Sequence, residues 1–263
     1  MEIQFINITR EEFLSKDRLY KFMPLENALR TLSSNELWFA NPSTWKDPFE
    51  KRFLDAEYVD IDEEDKSIPY GERTYCMCVT QTPTSEAYWN TYSREQIGIK
   101  LLFFRNELLK QLEAYTDAYD IYIGKVEYML TPDILKKKIS EIPLSAPIPT
   151  STKDLYVRLL LLKRIAYKYE DEIRIILIKK RAGTGDKPAG VGLKYNCESP
   201  SLISNIVLDP SIPQYTTELL KETFISKYGF TPIVNPMTGK TRIRVMKSTL
   251  YSSRNKETLI WDI

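Results

Sequence analysis

The stretch YKYEDEIRIILIKK, residues 167–180, combines a run of charge with the pattern of a buried strand. Alternate side chains of a strand share a face, so Glu170, Glu172 and Arg174 are predicted to point the same way. Beyond Arg174 both faces are apolar, which predicts a central strand that is buried on two sides. The charged half is therefore expected where the sheet opens, at the rim of a cleft.

The two glutamates of this stretch raise a question of electrostatics. Side chains two residues apart on a strand lie about 7 Å apart, and two carboxylates at that distance repel unless a cation intervenes. Arg174 comes next on the same face and could orient Glu172. An exposed strand end with an ordinary surface ion pair explains the same pattern, and geometry alone leaves both interpretations open. The cleft is favoured because the strand continues into the core, and a rigid element holds reactive groups in place.

The absence of histidine from all 263 residues limits the chemistry. It excludes Ser-His-Asp and Cys-His nucleophile systems and His-containing metal sites, and we expect no metal cofactor. Lysine and arginine number 37 against 36 acidic residues, which gives no charge argument for or against a polyanion partner. The length is typical of one large domain, and we expect residues 1–263 to form it.

The cysteines and the first residues of the chain bear on its location. The chain has three cysteines, Cys76, Cys78 and Cys197. An odd and small number of cysteines in a chain of this length indicates a reducing compartment. The opening MEIQFINITREEF lacks the basic region, apolar stretch and cleavage site of a signal peptide. No run of about twenty apolar residues is present. We therefore expect a cytoplasmic protein with no membrane association.

Irregular mixing of strands and helices predicts an α+β fold. Pro24 begins a helix in which Leu25, Ala28, Leu29 and Leu32 form an apolar stripe. A mostly antiparallel or split sheet with flanking helices is favoured over a doubly wound fold, because no regular βαβ alternation appears. The predicted strands span residues 18–22, 36–42, 73–81, 97–104, 120–129, 170–180, 202–211 and 241–251. The predicted helices span residues 24–36, 82–92, 106–115, 131–142, 153–169 and 216–230, and an acidic, solvated loop spans 55–65.

Aromatic and polar side chains recur together in four clusters. Each cluster alone is explained by core packing, since aromatic side chains bury well anywhere. Together they predict a pocket for a flat ligand, in which side-chain rings stack on the ligand, amides and a lysine meet polar groups, and carboxylates bind a sugar. The clusters are LYKF (19–22) with Tyr20 and Lys21, LWFANPSTWKDPFE (37–50) with Asn41 and Asp47, YWNTY (88–92) with Trp89 and Tyr92, and YKYEDE (167–172) with two tyrosines.

Four motifs follow one another along the chain. They are L-Y-K-F at 19–22, F-x-x-P-x-x-W-x-D-P-x-E at 39–50, W-x-x-Y-x-x-x-x-x-G at 89–98 and Y-x-Y-E-x-E-x-R at 167–174. In order and spacing, over about residues 18–251, the chain resembles a large family of uncharacterised bacterial domains. That family in turn resembles the ADP-ribosyltransferase fold, most closely its nucleic-acid-modifying toxin branch. The likeness lies in a first strand with a cationic residue, a middle aromatic motif and a late strand that opens with a glutamate.

This resemblance implies an ADP-ribosyltransferase-like split, mostly antiparallel sheet and NAD as the substrate. By position, Lys21 stands where the first motif of that fold has Arg or His. Lysine is a point charge and cannot make the two-pronged contact of a guanidinium. Trp89 and Tyr92 would supply the middle motif, and Glu172 or Glu170 the catalytic acid. The rest of the predicted NAD-binding set is Tyr20, Asn41, Asp47 and Arg174.

The implied reaction suits a site without histidine. Cleavage of the nicotinamide–ribose bond passes through an oxocarbenium-like state, as glycoside hydrolysis does. Nicotinamide leaves as a neutral molecule from a cationic precursor, so the step needs no general acid. A carboxylate that holds the ribose hydroxyl and stabilises positive charge is the main requirement. Glu170 would then activate the acceptor, by analogy with transferases that keep an E-x-E pair.

The resemblance therefore implies an NAD-dependent mono-ADP-ribosyltransferase, a bacterial toxin or phage-defence effector that modifies nucleic acid or protein. Basic runs at 136–138, 179–181 and 241–247 would support a nucleic acid acceptor if they converge, although each alone is explained as a solvated face. Two alternatives stay open. One is a non-catalytic nucleotide-binding sensor with the same pocket, and the other is an interaction module of a toxin–antitoxin pair, whose partner is a cognate antitoxin.

Overall fold

The computed structural model describes residues 2–51, 70–93, 97–130, 152–180, 189–195, 202–234 and 236–251. The predicted acidic loop 55–65, the predicted helix 131–142 with its basic run 136–138, and Cys197 lie outside these ranges. In the described part of the chain, no helix is long and apolar enough to cross a membrane.

The structure is mixed α/β, with a mostly antiparallel sheet and flanking helices. Ten described strands form the main sheet, in which eight follow the order β1-β6-β9-β4-β2-β5-β11-β14, and β3 pairs with β10 and β4. The strands are β1 Gln4–Ile6, β2 Arg18–Pro24, β3 Glu36–Ala40, β4 Thr74–Thr80, β5 Gly98–Phe104, β6 Tyr119–Lys125, β7 Glu127–Met129, β8 Leu162–Arg164, β9 Glu172–Lys179, β10 Gly190–Lys194, β11 Ile203–Leu208, β12 Ile233–Val234, β13 Thr241–Arg242 and β14 Val245–Lys247. Parallel pairs occur at β1 with β6, β7 with β8 and β11 with β14.

Short helices connect and cover these strands. They are α1 Arg10–Leu14, α2 Leu25–Ser34, α3 Pro48–Lys51, α4 Tyr70–Arg73, α5 Glu86–Ser93, α6 Arg105–Glu113, α7 Thr152–Leu159 and α8 Gln214–Tyr228, with 3-10 helices at Pro42–Thr44 and Ile165–Glu170. The predicted stripe of α2 is confirmed. Ala28 and Leu32 are buried, and Leu25 and Leu29 pack against the same core. Pro24 stands directly before the helix, which ends at Asn35 in a left-handed conformation.

The strand predicted from the opening stretch is β9, an interior strand of the sheet. It pairs antiparallel with β4 on one side and β6 on the other. Ile175 and its same-face neighbours lie in the main core, and Ile176 and Ile178 lie in a second core on the opposite face. Both faces are therefore buried, as the double apolar pattern predicts.

Two predicted boundaries next to this strand are wrong. The strand begins at Glu172 and not at Glu170, because Ile165–Glu170 form a 3-10 helix and Asp171 turns the chain with a positive φ of 37°. The predicted helix over 153–169 ends at Leu159, since residues 162–164 pair in parallel with β7 instead. The predicted strand 241–251 is likewise replaced by the short strands β13 and β14.

The sheet opens between β2 and β4. These strands share one residue pair, Tyr20 with Thr80, whereas β2 pairs with β5 over its whole length and β4 pairs with β9 over its whole length. Strand β3 touches β4 only where Ala40 pairs with Cys76. Lys21 bridges the opening, because its Nζ donates to the carbonyl of Cys78 at 2.8 Å. Two cavities lie at this opening.

The described parts of the basic runs 179–181 and 241–247 lie far apart on the sheet. Lys179 ends β9 and Lys180 follows it, whereas Arg242 ends β13, Lys247 ends β14 and Arg244 lies between these two strands. Four strands separate β9 from β14 in the sheet, a distance of about 24 Å at the usual strand spacing. The Arg244 guanidinium donates to backbone carbonyls of Ser204 and Ile203 and is buried. Among described residues, the basic runs therefore give no continuous surface for nucleic acid.

The interior position of β9 can be tested by truncating one of its core side chains. Ile175 has no exposed surface, so Ile175→Ala should lower the free energy of unfolding by about 2–5 kcal/mol through lost burial and a residual cavity. Urea denaturation measures the change. Ile243→Ala, at a side chain with 57% exposure, is the control and should change stability by less than about 0.5 kcal/mol. Equal losses in the two variants would contradict the burial of β9.

Candidate active site

The site is built around the ammonium of Lys163. Its Nζ lies 2.6 Å from Oε2 of Glu170 and 2.9 Å from Oε2 of Glu172, and 3.8 Å from Oε1 of Glu50. Lys163 is buried in β8, and its parallel pairing with β7 places it beside the start of β9. The cation that two neighbouring carboxylates require is therefore Lys163. The sequence pattern predicts a helix at this residue, and its one signal for a special role is a lysine directly after the apolar run 159–162.

Arg174 holds Glu172 from the other side. Its Nε donates to Oε1 of Glu172 at 3.0 Å, and one terminal nitrogen donates to Oε2 at 3.2 Å. The same guanidinium donates to Glu50 and to the carbonyl of Leu160, and its face lies 4.4 Å from the ring centre of Trp45. Arg174 is 1% exposed. It is therefore a positioning group for Glu172, and its donors point at protein acceptors.

Glu170 reaches the same point by a different route from the predicted strand face. It ends the 3-10 helix, and the left-handed turn at Asp171 brings its side chain back to Lys163. Its carbonyl oxygen accepts hydrogen bonds from Oγ1 of Thr80 at 2.5 Å and from the hydroxyl of Tyr88 at 3.0 Å. The two glutamates therefore lie close together as predicted, but Glu170 does not lie on the strand face that the sequence pattern predicts.

The environment displaces the pKa values of the two glutamates in opposite directions. Burial alone would raise the pKa of Glu172, but Arg174 and Lys163 outweigh it and hold that pKa well below its usual range. Burial raises the pKa of Glu170 above its ordinary value, and the charge of Glu172 adds to this while Lys163 offsets only part. Burial alone would lower the pKa of Lys163, yet the surrounding carboxylates raise it. Glu172 is therefore the more strongly held anion, and Glu170 is the more readily protonated of the two carboxylates.

These groups line a cavity of about 250 Å³, termed here the polar cavity. Aromatic rings form one wall: Phe22 stacks on Tyr88 with ring centres 4.6 Å apart, and Tyr88 stacks on Tyr92 at 6.3 Å. Seven of the nine residues predicted for the site contribute to its lining. They are Tyr20, Lys21, Asp47, Tyr92, Glu170, Glu172 and Arg174.

The other two predicted residues, Asn41 and Trp89, contact the backbone and the core and do not face the cavity. The Asn41 amide donates to the carbonyls of Gly71 at 2.9 Å and Thr74 at 3.1 Å, and its Oδ1 accepts from the backbone of Ser43. Trp89 is 2% exposed and packs edge-on against Phe22, behind the aromatic wall. Neither side chain lines the polar cavity, because one caps a turn and the other fills the core behind the wall.

Two further predicted residues have defined partners at the cavity. Asp47 accepts two hydrogen bonds from Arg164 at its Oδ2, at 3.1 and 2.9 Å, and one from the backbone of Phe49 at its Oδ1. Lys21 donates to the Cys78 carbonyl, and within the described ranges it forms no ion pair. Burial lowers the pKa of Lys21. The thiol of Cys78 faces Glu172, and burial together with that carboxylate raises its pKa, so it is a poor nucleophile.

The chain matches no family model, no curated protein and no solved structure. Among described residues, no three acidic or cysteine side chains are grouped in a way that could hold a metal ion. What the site can do follows from its own geometry. Two carboxylates, with pKa values displaced in opposite directions, share one ammonium beside an aromatic wall.

Replacement of Lys163 should destabilise the protein in a pH-dependent way. In Lys163→Met, Arg174 still pairs with Glu172, but Glu170 loses its cation, so its raised folded-state pKa moves further above the unfolded value of about 4.3. The penalty is present at neutral pH and shrinks as the pH falls toward that raised pKa. We expect a loss of about 3 kcal/mol in the free energy of unfolding at pH 7 and a smaller loss at pH 5, both measured by urea denaturation.

The matched control is Lys110→Met. Lys110 is exposed and forms an ion pair with Glu107 at 2.9 Å, so the variant should lose less than about 1 kcal/mol at either pH. A loss for Lys163→Met that is as small as that of the control, or equal at pH 7 and pH 5, would contradict the bridging role of Lys163.

Proposed function

We propose that this protein is an NAD-dependent mono-ADP-ribosyltransferase. The observation that carries the proposal is the pair Glu170 and Glu172, which share the ammonium of Lys163 and have pKa values displaced in opposite directions. Carboxylates with separated pKa values are the mark of a site in which one group stays charged and the other moves a proton. The histidine-free chain has these two groups on the wall of a cavity.

Glu172 has the properties that the bond-breaking step requires. The bond between the ribose carbon and the ring nitrogen breaks, its electron pair goes to nicotinamide, and positive charge develops on the ribose. A carboxylate that stays ionised and is fixed in place stabilises that charge without reorganisation. Arg174 fixes Glu172 at 3.0 Å on a rigid interior strand, so the carboxylate is preorganised to bind a ribose hydroxyl.

Glu170 has the properties that the transfer step requires. An acceptor that attacks the ribosyl cation must lose a proton, and a carboxylate with a raised pKa beside the reacting centre can take it. Its position is set by two hydrogen bonds to its own carbonyl, from Thr80 and Tyr88. Loss of Glu170 should therefore impair transfer more than nicotinamide release.

The aromatic wall and Lys21 fit the rest of the substrate. The half-buried ring of Tyr92, which stacks on Tyr88, lines the polar cavity and offers a surface for a cationic pyridinium ring. Lys21 lines the same cavity. Its ammonium donates to the neutral carbonyl of Cys78, so its positive charge can still attract an anionic group of the ligand. An ammonium at this position can meet a phosphate as a point charge.

A role as a toxin or phage-defence effector follows as part of the proposal, with nucleic acid or protein as acceptor. The described basic residues lie at separate places on the sheet, so charge does not choose between the two acceptors. Incubation of the protein with labelled NAD and RNA, DNA or lysate protein identifies the acceptor by the fraction that becomes labelled.

A nucleotide-binding sensor is the second candidate function. It is favoured by the pairing of Glu172, which is 3% exposed and has both oxygens engaged by Arg174 and Lys163. A fully paired carboxylate is suited to a static binding site as well as to catalysis. The sensor would show a thermal shift with NAD or ADP-ribose and no turnover.

Glu172→Gln is the direct test of the enzymatic proposal. Wild-type protein incubated with NAD should release nicotinamide, and the variant should release it at least about 100-fold more slowly, because a neutral amide no longer stabilises the ribosyl cation. Chromatography of the reaction mixture measures nicotinamide, and circular dichroism checks folding. Glu170→Gln should still release nicotinamide at most of the wild-type rate when water is the acceptor. It should lose the transfer of ADP-ribose to any other acceptor.

Glu218→Gln serves as the control, since Glu218 is an exposed residue of α8 that accepts a hydrogen bond from Gln214. It should release nicotinamide at the wild-type rate. A wild-type protein that neither binds nor consumes NAD, or a folded Glu172→Gln variant with wild-type activity, would rule out the proposed reaction.

A further inference from the structure

A second cavity of about 340 Å³, termed here the apolar cavity, lies beside the polar cavity at the opening between β2 and β4. Its depth is lined by core side chains, among them Met23, Leu37, Met77 and Phe103, each of which is at most 6% exposed. Its volume lies in the range of small-molecule sites, which are largely apolar with a few polar groups at defined places. The polar groups here include Asn27 and Glu36.

The apolar cavity has an aromatic and cationic shelf. The guanidinium of Arg30 lies 4.5 Å from the ring centre of Trp38, and Trp38 is 37% exposed. Gly190 lets the ring lie against β10, because a Cβ at that position would come within 2.5 Å of the Trp38 ring. Indole rings and guanidinium planes are the groups on which unstacked nucleobases stack in proteins.

The two cavities share a wall and a charge. Lys21, Phe22, Trp45, Cys78 and Tyr92 line both of them. Lys21 is the cation on this shared wall, and in the described structure it has a carbonyl partner at 2.8 Å and no carboxylate within ion-pair distance. A ligand with a flat ring in the apolar cavity and an anionic group next to that ring would place the anion at Lys21.

We infer that the apolar cavity is a nucleobase site, and that the phosphate attached to the base lies at Lys21. The base is either the second base of a dinucleotide whose other half occupies the polar cavity, or a base of a nucleic acid strand. The first source rests on the proposed function. The base site itself rests on Trp38, Arg30 and the apolar walls, and it requires no turnover.

Calorimetric titration with adenosine monophosphate tests the site. Wild-type protein should bind it, and Trp38→Ala should weaken binding about tenfold through loss of stacking. Arg30→Leu, at an exposed position of α2, should weaken binding to a similar extent and carries the test if Trp38→Ala fails to fold. Tyr215→Ala removes an aromatic ring that is 78% exposed on α8 and should bind like the wild type.

Titration with NAD, nicotinamide mononucleotide and a six-nucleotide single strand identifies the source of the base. If the base belongs to a dinucleotide, Trp38→Ala and Arg30→Leu should bind NAD more weakly than the wild type does. Both variants should bind nicotinamide mononucleotide with unchanged affinity. A strand ligand predicts that the variants lose affinity for the oligonucleotide and keep it for NAD. The inference is overturned if wild-type protein does not bind adenosine monophosphate, or if the folded variants bind it as tightly as the control. Binding of adenosine monophosphate and NAD without release of nicotinamide would rule out the proposed reaction and would still support the base site.

Discussion

The ion cluster around Lys163 is the interaction on which the site depends. Three carboxylates, Glu50, Glu170 and Glu172, meet Lys163 and Arg174 at a place that is largely closed to water. Charges in such a place are costly unless each is paired, and here every member has a partner of opposite sign. The cluster joins α3, β8, the 3-10 helix and β9, so the same ion pairs that balance most of the charge also hold these elements together.

The opening in the sheet provides the space that this cluster faces. Strands β2 and β4 share one residue pair and then separate, and the ammonium of Lys21 reaches across to the Cys78 carbonyl in place of ladder hydrogen bonds. A sheet that stayed fully paired would leave no room for a ligand between these strands. The carboxylates line the polar cavity, and Trp38 and Arg30 line the apolar cavity. The two cavities share Lys21 on their common wall.

The sequence predicts the local parts of this arrangement better than the contacts between distant segments. The two-residue period of β9 places Arg174 next to Glu172, and the stripe of α2 identifies its buried face, because both depend on neighbours along the chain. Lys163 was missed because it reaches the site through a parallel pairing of β8 with β7, which no local pattern encodes. Asn41 and Trp89 lie outside the polar cavity, and residue type alone does not reveal whether a polar or aromatic side chain contacts the backbone, the core or a ligand.

The proposed chemistry depends most on the difference between the pKa values of Glu170 and Glu172. This difference is measured most directly by carbon-13 NMR titration of glutamate side-chain carboxyls, with Glu170→Gln and Glu172→Gln used to assign the two signals. We expect Glu172 to stay ionised down to the pH at which the protein unfolds, and Glu170 to titrate above the ordinary glutamate value of about 4.3. Two signals that titrate together near that ordinary value would contradict the account.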